Sequence, residues 1–509
     1  MSNLSSNNKR IAKNTLFLYV RMLFLMFISL YTSRVVLDKL GVEDFGIFNV
    51  VGGLAAMFTF FSSSLSNATQ RFLNIELGQD NLNGAKNVFS QYFLFYCIIA
   101  IVVIVAAETI GLWFVWNKLV IPPDRVVAAV CVYQFTVLSL CITLIGIVFN
   151  SEIVVHENMR IYSYIGIFEG VAKLAVAFLI SVSPFDRLIV YGLLLLITTL
   201  AVQGYYAYYG LKHYEECQIR FIWDRVLLKK TSSIVGWNMI STAVEAVNDS
   251  GVNVLLNIFF GPTVNAARAV SYQVSSAVNS FVVNFFTAVR PQLMKSYASG
   301  DRESLIKLFF NSTKFSFMLL WVLCLPIFFS IDTILHMWLT EVPEYTNTFT
   351  LWILAYSLVI VFNNPVWPIA LAIGDLKRYV PYESCVSLMI FPLSYVALRS
   401  GCSPVIVFVI MFGVKCCYVV VVLTIINRYI HFSGYKYLRN VILPIVKVVS
   451  ASSFIAYGLS KILPATLPYI ILLVFLIVSL ALAVIWIFGI THRQRRYLIT
   501  FLKSKLSKK

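Results

Sequence analysis

Charged side chains are scarce in this sequence. Asp, Glu, Lys and Arg together make up 12% of the 509 residues, about half the share typical of a soluble globular protein. Residues of the AVILMFWYC set make up 59%. Apolar runs of about twenty residues, each long enough to cross ~30 Å of hydrocarbon, recur from end to end. The composition therefore excludes a string of soluble domains and predicts an all-α, polytopic membrane protein.

The motifs of metal centres, nucleotide-driven motors and disulfide-rich domains are also missing. The nine cysteines include no CxxC pair, the five histidines show no HExxH spacing, and there is no GxxxxGK[ST] loop. We interpret the cysteines as small apolar side chains within the spans. The sequence therefore predicts no metal, no cofactor and no ATP motor in this chain.

About fourteen helical spans account for most of the chain. They leave roughly 13 residues for each connection, which is too few for a soluble catalytic domain. The eleventh span contains Pro381 and Pro392, which predict an interruption. The expected spans cover residues 14–36, 45–70, 88–115, 126–149, 161–183, 187–210, 232–260, 263–289, 306–330, 348–372, 379–398, 403–427, 440–460 and 466–490.

Basic residues are distributed unevenly among the connections. With the N-terminus placed inside, 27 of the 40 Lys and Arg residues lie in inner segments and the C-terminal tail, and 6 lie in outer segments. The positive-inside rule then predicts that both termini are cytoplasmic. This distribution also accounts for the net charge of +17 without any nucleic acid partner. We expect the basic tail to lie against anionic lipid headgroups.

Seven basic residues remain within or near the spans, where an unpaired charge costs at least ~2.5–3.5 kcal/mol at the centre. Arg21 lies about eight residues, or ~12 Å, inside its span, too deep for easy escape to the interface. Lys173 follows Glu169 by one turn and is expected to pair with it, which leaves neutralisation and a cavity role both open. Snorkelling to the interface is favoured for Lys314 and is an equal alternative for Arg34.

Two neighbouring helices carry polar stripes that cannot face lipid. The stripes could join helices by dry hydrogen bonds, but two carboxylates and an arginine favour a water-filled cavity. Glu245 and Asp249 share one face, within about 6 Å at Cβ, and could bind a proton or Na⁺. The alternative is that Arg268 neutralises one of them permanently. The stripes consist of Asn238, Thr242, Glu245, Asp249, Asn253 and Asn257 in the seventh span, and Asn265, Arg268, Tyr272, Ser275 and Asn279 in the eighth.

The second half of the chain repeats the order of features in the first. At a shift of 220 residues, Gly41 coincides with Gly261, and both follow a span that starts with basic residues. Six spans separate the copies, so we expect two parallel six-helix lobes related by a pseudo-two-fold axis along the membrane normal. The predicted organisation is an N-terminal lobe at 1–225, a C-terminal lobe at 226–430, and an extra helix pair with a basic tail at 431–509. Spans one, two, seven and eight are expected to line a substrate site between the halves.

The first outer turn carries a recognisable local pattern. Ser33–Leu54, SRVVLDKLGVEDFGIFNVVGGL, resembles the opening of the Wzx-type polysaccharide-repeat (O-antigen/capsule) flippases. These belong to the multidrug/oligosaccharidyl-lipid/polysaccharide (MOP) exporter superfamily. The basic start, the fourteen spans, the two lobes and the last helix pair extend the resemblance over essentially the whole chain.

The resemblance implies a function. It implies an alternating-access flippase of the bacterial cytoplasmic membrane that moves undecaprenyl-pyrophosphate-linked oligosaccharide repeats from the inner to the outer leaflet for surface polysaccharide biosynthesis. A cationic cavity is implied as well, with Arg21, Arg34 and Arg268 as its candidates here. Lys173, Asn265, Tyr272 and Asn279 are further candidates for substrate binding, and Glu245 and Asp249 for coupling to H⁺ or Na⁺. The implied partners are the lipid-linked oligosaccharide, membrane lipids, the coupling ion, and the polysaccharide polymerase with its chain-length machinery.

Two other function classes stay open. A multidrug antiporter of the same superfamily would share the fold and the carboxylate coupling, but its cavity would be less cationic. A membrane-bound polysaccharide polymerase or glycosyltransferase is the enzyme alternative, with Asp38, Glu43 and Asp44 as an acidic motif in the first outer loop. Outer loops of about fifteen residues or fewer are too short to build a catalytic lobe, so the sequence favours a flippase over an enzyme.

Overall fold

A computed structural model describes residues 2–220, 225–374, 376–462, 467–491, 494–496 and 500. Every regular element within these ranges is a helix, as the sequence predicts for a chain whose backbone must be satisfied inside a membrane. The basic tail beyond residue 500 lies outside the described residues. The α-helices are α1 (Ser2–Ala56), α2 (Phe60–Gly78), α3 (Leu82–Ala106), α4 (Leu112–Asn117), α5 (Val126–Val155), α6 (Met159–Val182), α7 (Arg187–His213), α8 (Arg225–Phe260), α9 (Pro262–Ala298), α10 (Arg302–Trp338), α11 (Thr346–Ile360), α12 (Val366–Ile373), α13 (Leu376–Leu388), α14 (Ile390–Arg399), α15 (Val405–Ile430), α16 (Gly434–Tyr437), α17 (Leu443–Ile462) and α18 (Leu467–Val484).

Ten segments of the described chain are long and apolar enough to cross a membrane. They correspond to the predicted spans three to six and nine to fourteen, so the chain is a multi-pass membrane protein. The predicted spans seven and eight correspond to α8 and α9, which are 36 and 37 residues long. At 1.5 Å per residue each helix is over 50 Å long, which is enough to cross a membrane. Their polar stripes lower their mean hydropathy, so they are not among the ten segments. The ten segments are Leu82–Asn117, Val126–Val155, Met159–Val182, Arg187–His213, Arg302–Trp338, Thr346–Ile373, Tyr379–Arg399, Val405–Ile430, Gly434–Ile462 and Tyr469–Gly489.

Glycine and proline divide the helices where the sequence predicts. Gly41 has φ 81° and separates the first two spans inside α1. Gly261 has φ 79° and separates α8 from α9. Both glycines therefore adopt the left-handed conformation that a side chain would strain. The predicted interruption of the eleventh span is confirmed, because α13 ends at Leu388 and α14 begins at Ile390 with Pro392 in its first turn.

The first of two compact units comprises Met1–Val270, Leu339–Thr346 and Glu383–Ile410. Its core is built from fully buried aromatic and aliphatic side chains of α1, α3, α5 and α7. Tyr133 on α5 donates its hydroxyl to the Ala107 carbonyl, 2.9 Å away, at a π-helical turn that follows α3. The same carbonyl accepts from the Leu112 N–H across the wider turn, so Tyr133 supplies its second hydrogen bond.

The second unit comprises Ser271–Trp338, Asn347–Tyr382 and Met411–Lys509. An aromatic cluster of Phe309, Phe310, Phe432 and Tyr437 fills its interior, with ring centroids 5.3–6.0 Å apart. Trp321 on α10 donates to the Ser452 hydroxyl on α17 at 2.9 Å. The lobe limits at residues 225 and 430 stay a prediction.

Candidate functional site

The second segment of α1 packs closely against the turn between α8 and α9. A Cβ atom on Gly46 would lie 1.9 Å from the Pro262 carbonyl oxygen, and one on Gly53 would lie 2.6 Å from the Asn253 amide nitrogen. The Asn253 side chain donates to the Asn49 carbonyl at 3.0 Å. Glycine at these two positions therefore allows the close helix approach that sets the frame of the candidate site.

Buried asparagines near the turn between α8 and α9 join helices by hydrogen bonds. Asn257 is fully buried, accepts from the Val120 N–H at 2.8 Å and donates to the Val120 carbonyl at 3.3 Å. Asn265, also fully buried, donates to the Asn253 carbonyl and side-chain oxygens at 2.6 and 2.8 Å. For these residues the structure has the dry hydrogen-bonded arrangement rather than a wet cavity lining.

The two carboxylates of the α8 stripe are exposed. Arg268 on α9 is buried and donates through Nη2 to the Asp249 carboxylate at 2.5 Å and to the Asp249 carbonyl at 2.9 Å. The Asp249 side chain is 53% exposed, against 8% for Arg268, and Glu245 one turn earlier is exposed too. The structure thus contains the Arg268–Asp249 pair that the neutralisation alternative requires. The described chain therefore leaves part of both carboxyl side chains uncovered.

Arg21 is held over an aromatic ring of α6. Its guanidinium carbon lies 4.4 Å from the Tyr162 ring centroid, and its Nη2 lies 2.3 Å from where a Cβ on Gly166 would be. Among the described residues the buried Nε of Arg21 has no hydrogen-bond partner. Cation–π contact therefore stabilises the charge while part of the guanidinium stays unbonded.

Lys173 and Glu169 lie further along α6. They form the predicted pair at 2.6 Å, with both side chains about half exposed. The i,i+4 pair is confirmed, and the role of Lys173 in substrate binding stays a prediction.

Arg34 is half-buried at the end of the first span, where it acts on Asp38. Hydrogen bonds from Lys39 and Thr340 lower the pKa of Asp38, and the charge of Arg34 adds to that shift. Asp44 is bound on both carboxylate oxygens by Arg125, at 2.8 and 2.5 Å. Two of the three acids proposed for an enzymatic motif are therefore engaged in ion pairs.

Tyr272 and Asn279 belong to the second unit. Tyr272 is half-buried, and Asn279 donates to Ser275 at 3.0 Å and to Ser357 at 2.9 Å. The Ser275 and Ser357 hydroxyls are also 3.0 Å apart. The predicted site residues are thus divided between the two units at Val270.

The sequence does not predict one cluster of titratable groups that the structure contains. Glu152, His156 and Glu216 have ligand atoms within 4.8 Å of one another, which is a spacing that can hold a metal ion or share a proton. Nε2 of His156 is hydrogen-bonded to Glu216, and the His156 ring stacks on Tyr214 at 4.1 Å. Burial alone raises the pKa of Glu216, but the bond with His156 outweighs it and the net pKa is lowered. The i,i+4 spacing of Glu152 and His156 can be read from the sequence, but no sequence pattern indicates that Glu216 lies beside them.

No family model matches this chain, and no curated protein sequence does. Solved structures do match. The lipid II flippase MurJ, in an inward closed conformation, matches over 92% of this chain and 98% of its own, with a TM-score of 0.67 and 12% identity. An inward-facing multidrug resistance transporter of the MATE family matches over 81% of this chain and 94% of its own, with a TM-score of 0.64 and 13% identity. A MOP-superfamily transporter from Pyrococcus furiosus matches over 82% and 96%, with a TM-score of 0.61 and 13% identity.

The chain has the fold of MOP-superfamily transporters. At 12–13% identity the likeness establishes the fold alone. The resemblance drawn from the first outer turn is therefore confirmed for the superfamily fold, and the Wzx-type assignment stays a prediction.

Proposed function

We propose that this chain is a flippase for undecaprenyl-pyrophosphate-linked oligosaccharide repeats in a bacterial cytoplasmic membrane, serving surface polysaccharide biosynthesis. The observation that carries the proposal is the set of cations on the helices of a MOP-superfamily fold: Arg21 and Lys173 lie well within α1 and α6, and Arg268 lies in the second turn of α9. A diphosphate cannot cross hydrocarbon unaided, and arginine binds phosphate oxygens with planar, charge-assisted hydrogen bonds.

Arg21 supports the proposal most directly. Its guanidinium is oriented by Tyr162 and has a buried Nε without a hydrogen-bond partner among the described residues. The Nε–H of this group can donate to a phosphate oxygen once the side chain moves to expose it. Arg268 differs, because Asp249 already occupies its Nη2. An incoming diphosphate would compete with Asp249 for Arg268.

That competition gives a route to ion coupling. If substrate displaces Asp249 from Arg268, the freed carboxylate and Glu245 lie one turn apart, and at least one then binds H⁺ or Na⁺ more readily. Release of the ion and return of Asp249 to Arg268 would weaken the hold on substrate. The coupling proposal therefore needs both carboxylates, whereas a fixed ion pair needs Asp249 alone.

The extent of the fold match favours a lipid-linked substrate. MurJ, named as a lipid II flippase, covers about one ninth more of this chain than the MATE transporters do, which is roughly the length of a helix pair. The predicted extra pair, α17 and α18, exposes large apolar side chains, among them Phe454 and Phe475 at 80% and 67%. Such a surface suits a polyprenyl tail that stays in the lipid.

A multidrug antiporter is the second candidate, because MATE transporters share the fold. The enzyme alternative has less support, since Asp38 and Asp44 are bound by Lys39 and Arg125. The polymerase and its chain-length machinery stay proposed partners.

Deletion in the native host followed by extraction of lipid-linked sugars tests the proposal. We expect undecaprenyl-linked repeats to accumulate and surface polysaccharide to disappear, and both to be restored by the wild-type chain but not by Arg21→Ala at equal protein level. An unchanged glycan with altered drug tolerance would instead establish the antiporter.

A further inference from the structure

A large cavity opens at one end of three helices in the second unit. Its volume is about 1430 Å³, and its walls are the first part of α10, the segment from His431 to Lys447 that includes α16 and the start of α17, and the turn that ends α18. One acidic residue, Glu303, lines it. The basic residues that line it are Arg302, Lys307, Lys314, Lys436, Arg439 and Lys447.

Lys314 forms the buried end of this cavity. The sequence predicts snorkelling of Lys314 to the interface, but its side chain is buried, with only 3% of the residue exposed. Its Nζ lies 3.5 Å from the Gln494 side-chain oxygen and 5.1 Å from the Phe315 ring centroid. Within the described part of the chain, none of the six basic side chains forms an ion pair. A buried ammonium with neutral neighbours is costly and is stabilised by an anion.

Hydrogen bonds between the helices hold the walls of the cavity. Arg302 donates to the Ile430 and His431 carbonyls at 3.0 and 2.6 Å, which ties α10 to the end of α15. Gln494 donates to Asn311 and accepts from the Thr491 N–H, both at 3.0 Å. The side chains of Lys307, Lys436 and Lys447 are exposed at the rim. The charge is therefore arranged around a preformed space.

Two π-helical turns border the same space. They cover Leu438–Ile442 and Ile485–Gly489, and both supply lining residues. The second packs tightly on α10, because a Cβ on Gly489 would lie 2.7 Å from the Met318 methyl carbon. Wider turns of this kind interrupt regular helices and are frequent at functional sites.

The N-terminal part of α10, which lines the cavity, is long enough to reach the lipid headgroups. α10 has 37 residues and spans about 55 Å, so a good part of it extends beyond ~30 Å of hydrocarbon. Lys314 follows Arg302 by twelve residues, about 18 Å along the axis. Apolar side chains stand exposed beside the cavity, with Leu443, Val446 and Phe488 at 46%, 51% and 47%. Headgroup charge and acyl chains can therefore be accommodated side by side.

We propose that this cavity binds the headgroup of a membrane lipid that carries two phosphates, with Lys314 at its base and the rim lysines around it. Two lipids offer this chemistry: a bulk diphosphatidyl phospholipid and a polyprenyl diphosphate. The proposal does not rest on the transport function, since either lipid would occupy the site in a protein that moves neither.

Native mass spectrometry of the purified full-length protein tests the site. The probes are diphosphatidylglycerol, a polyprenyl diphosphate, phosphatidylcholine and inorganic pyrophosphate. Lys314→Gln should weaken binding of the diphosphate lipid by about 10- to 100-fold, the loss of one charge-assisted hydrogen bond. Lys295→Gln, an exposed basic residue of the same unit outside the cavity, should bind like the wild type, and phosphatidylcholine should not compete.

The four probes distinguish a bulk diphosphatidyl phospholipid from a polyprenyl diphosphate as the bound lipid. Equal affinity for both diphosphate lipids assigns the site to bulk anionic phospholipid, and a preference for the polyprenyl diphosphate assigns it to the polyprenyl lipid. Equal affinity of Lys314→Gln and Lys295→Gln overturns the site, and pyrophosphate binding as tightly as either lipid overturns the lipid assignment. If Lys314→Gln does not fold, the Lys436→Gln/Lys447→Gln double variant carries the same test, and unchanged binding there overturns the proposal.

Discussion

At the scale of single residues, Glu245 and Asp249 separate ion coupling from a fixed ion pair. Asp249 is bound by Arg268, while Glu245 stands exposed one turn away. Coupling predicts that Asp249→Asn and Glu245→Gln both lose flipping driven by an imposed pH or Na⁺ gradient, with lipid-linked substrate still bound. Flipping in proteoliposomes measures this. Gradient-driven flipping that survives in the double variant would exclude a coupling role for the pair.

The stability of the same variants reports on the ion pair. Asp249→Asn leaves the buried Arg268 without its carboxylate, so thermal stability in detergent should fall by roughly 1–3 kcal/mol. Glu245→Gln should change it by less than about 0.5 kcal/mol, since an exposed group loses little. A similar loss in both variants would contradict the special role of the Arg268 pair.

Gly166 gives a second residue-scale prediction. A methyl group there would collide with the Arg21 guanidinium, which can move but would leave Tyr162. Gly166→Ala should therefore impair transport as Arg21→Ala does, with normal membrane levels. Gly204→Ala, on α7 in open space, should be neutral or stabilising by up to about 1 kcal/mol. Full complementation by Gly166→Ala would show that the orientation of Arg21 does not matter.

At the scale of helices, Arg125 clamps the start of α7 to the second segment of α1. It binds Asp44 on one side and Asp186 on the other, at 2.5 Å each, and Asp186 also caps α7 by accepting from the Leu188 and Ile189 N–H groups. Arg125→Ala should lower the free energy of unfolding by about 2–3 kcal/mol, because two partly buried carboxylates lose their partner. Arg187→Ala, which removes an exposed neighbour, should cost less than about 0.5 kcal/mol.

The ion pairs of Arg125 also predict that the stability of the fold depends on pH. Burial raises the pKa of Asp186, but the Arg125 bond and the cap N–H groups outweigh it, so the folded pKa is lowered. Its contribution to stability is present above the unfolded pKa and is lost as pH falls through the folded pKa. Burial dominates at Asp44 and raises its pKa, so that contribution is present at low pH and is lost as pH rises through the folded value. Arg125→Ala should raise both folded pKa values, so the variant should lose melting temperature near neutral pH but lose less of it than the wild type as pH falls. A variant whose acid limb is as steep as that of the wild type would contradict this assignment.

At the scale of the whole molecule, the orientation drawn from the basic residues can be tested by labelling. Cysteines placed at Lys118 and Lys461 should react with impermeant maleimide in intact cells, and ones at Lys212 and Lys436 should not. The background must lack the nine native cysteines, of which Cys385, Cys402 and Cys417 are exposed. The reverse labelling pattern would overturn cytoplasmic placement of both termini.

Features that depend on local chemistry can be predicted from the amino-acid sequence of this chain. Mean hydropathy set the membrane helices, because each span must satisfy its own backbone. The glycine turns at Gly41 and Gly261 and the Glu169–Lys173 pair followed from neighbours within one turn. The polar face of α8 was predicted by its period, because side chains three and four apart share a face.

The contacts of those helix faces depend on how the helices pack, which the local sequence does not show. Arg125 meets acids 81 and 61 residues away, and His156 meets Glu216 at a distance of 60 residues, so no local pattern relates them. Along one stripe, Asn257 became a buried helix contact while Glu245 stayed exposed. The sequence predicts that Lys314 reaches the interface, but it faces a basic cavity that its own helix forms with two segments more than 110 residues away. Periodicity defines which side of a helix is polar, whereas packing defines whether that side meets protein, water or an anion.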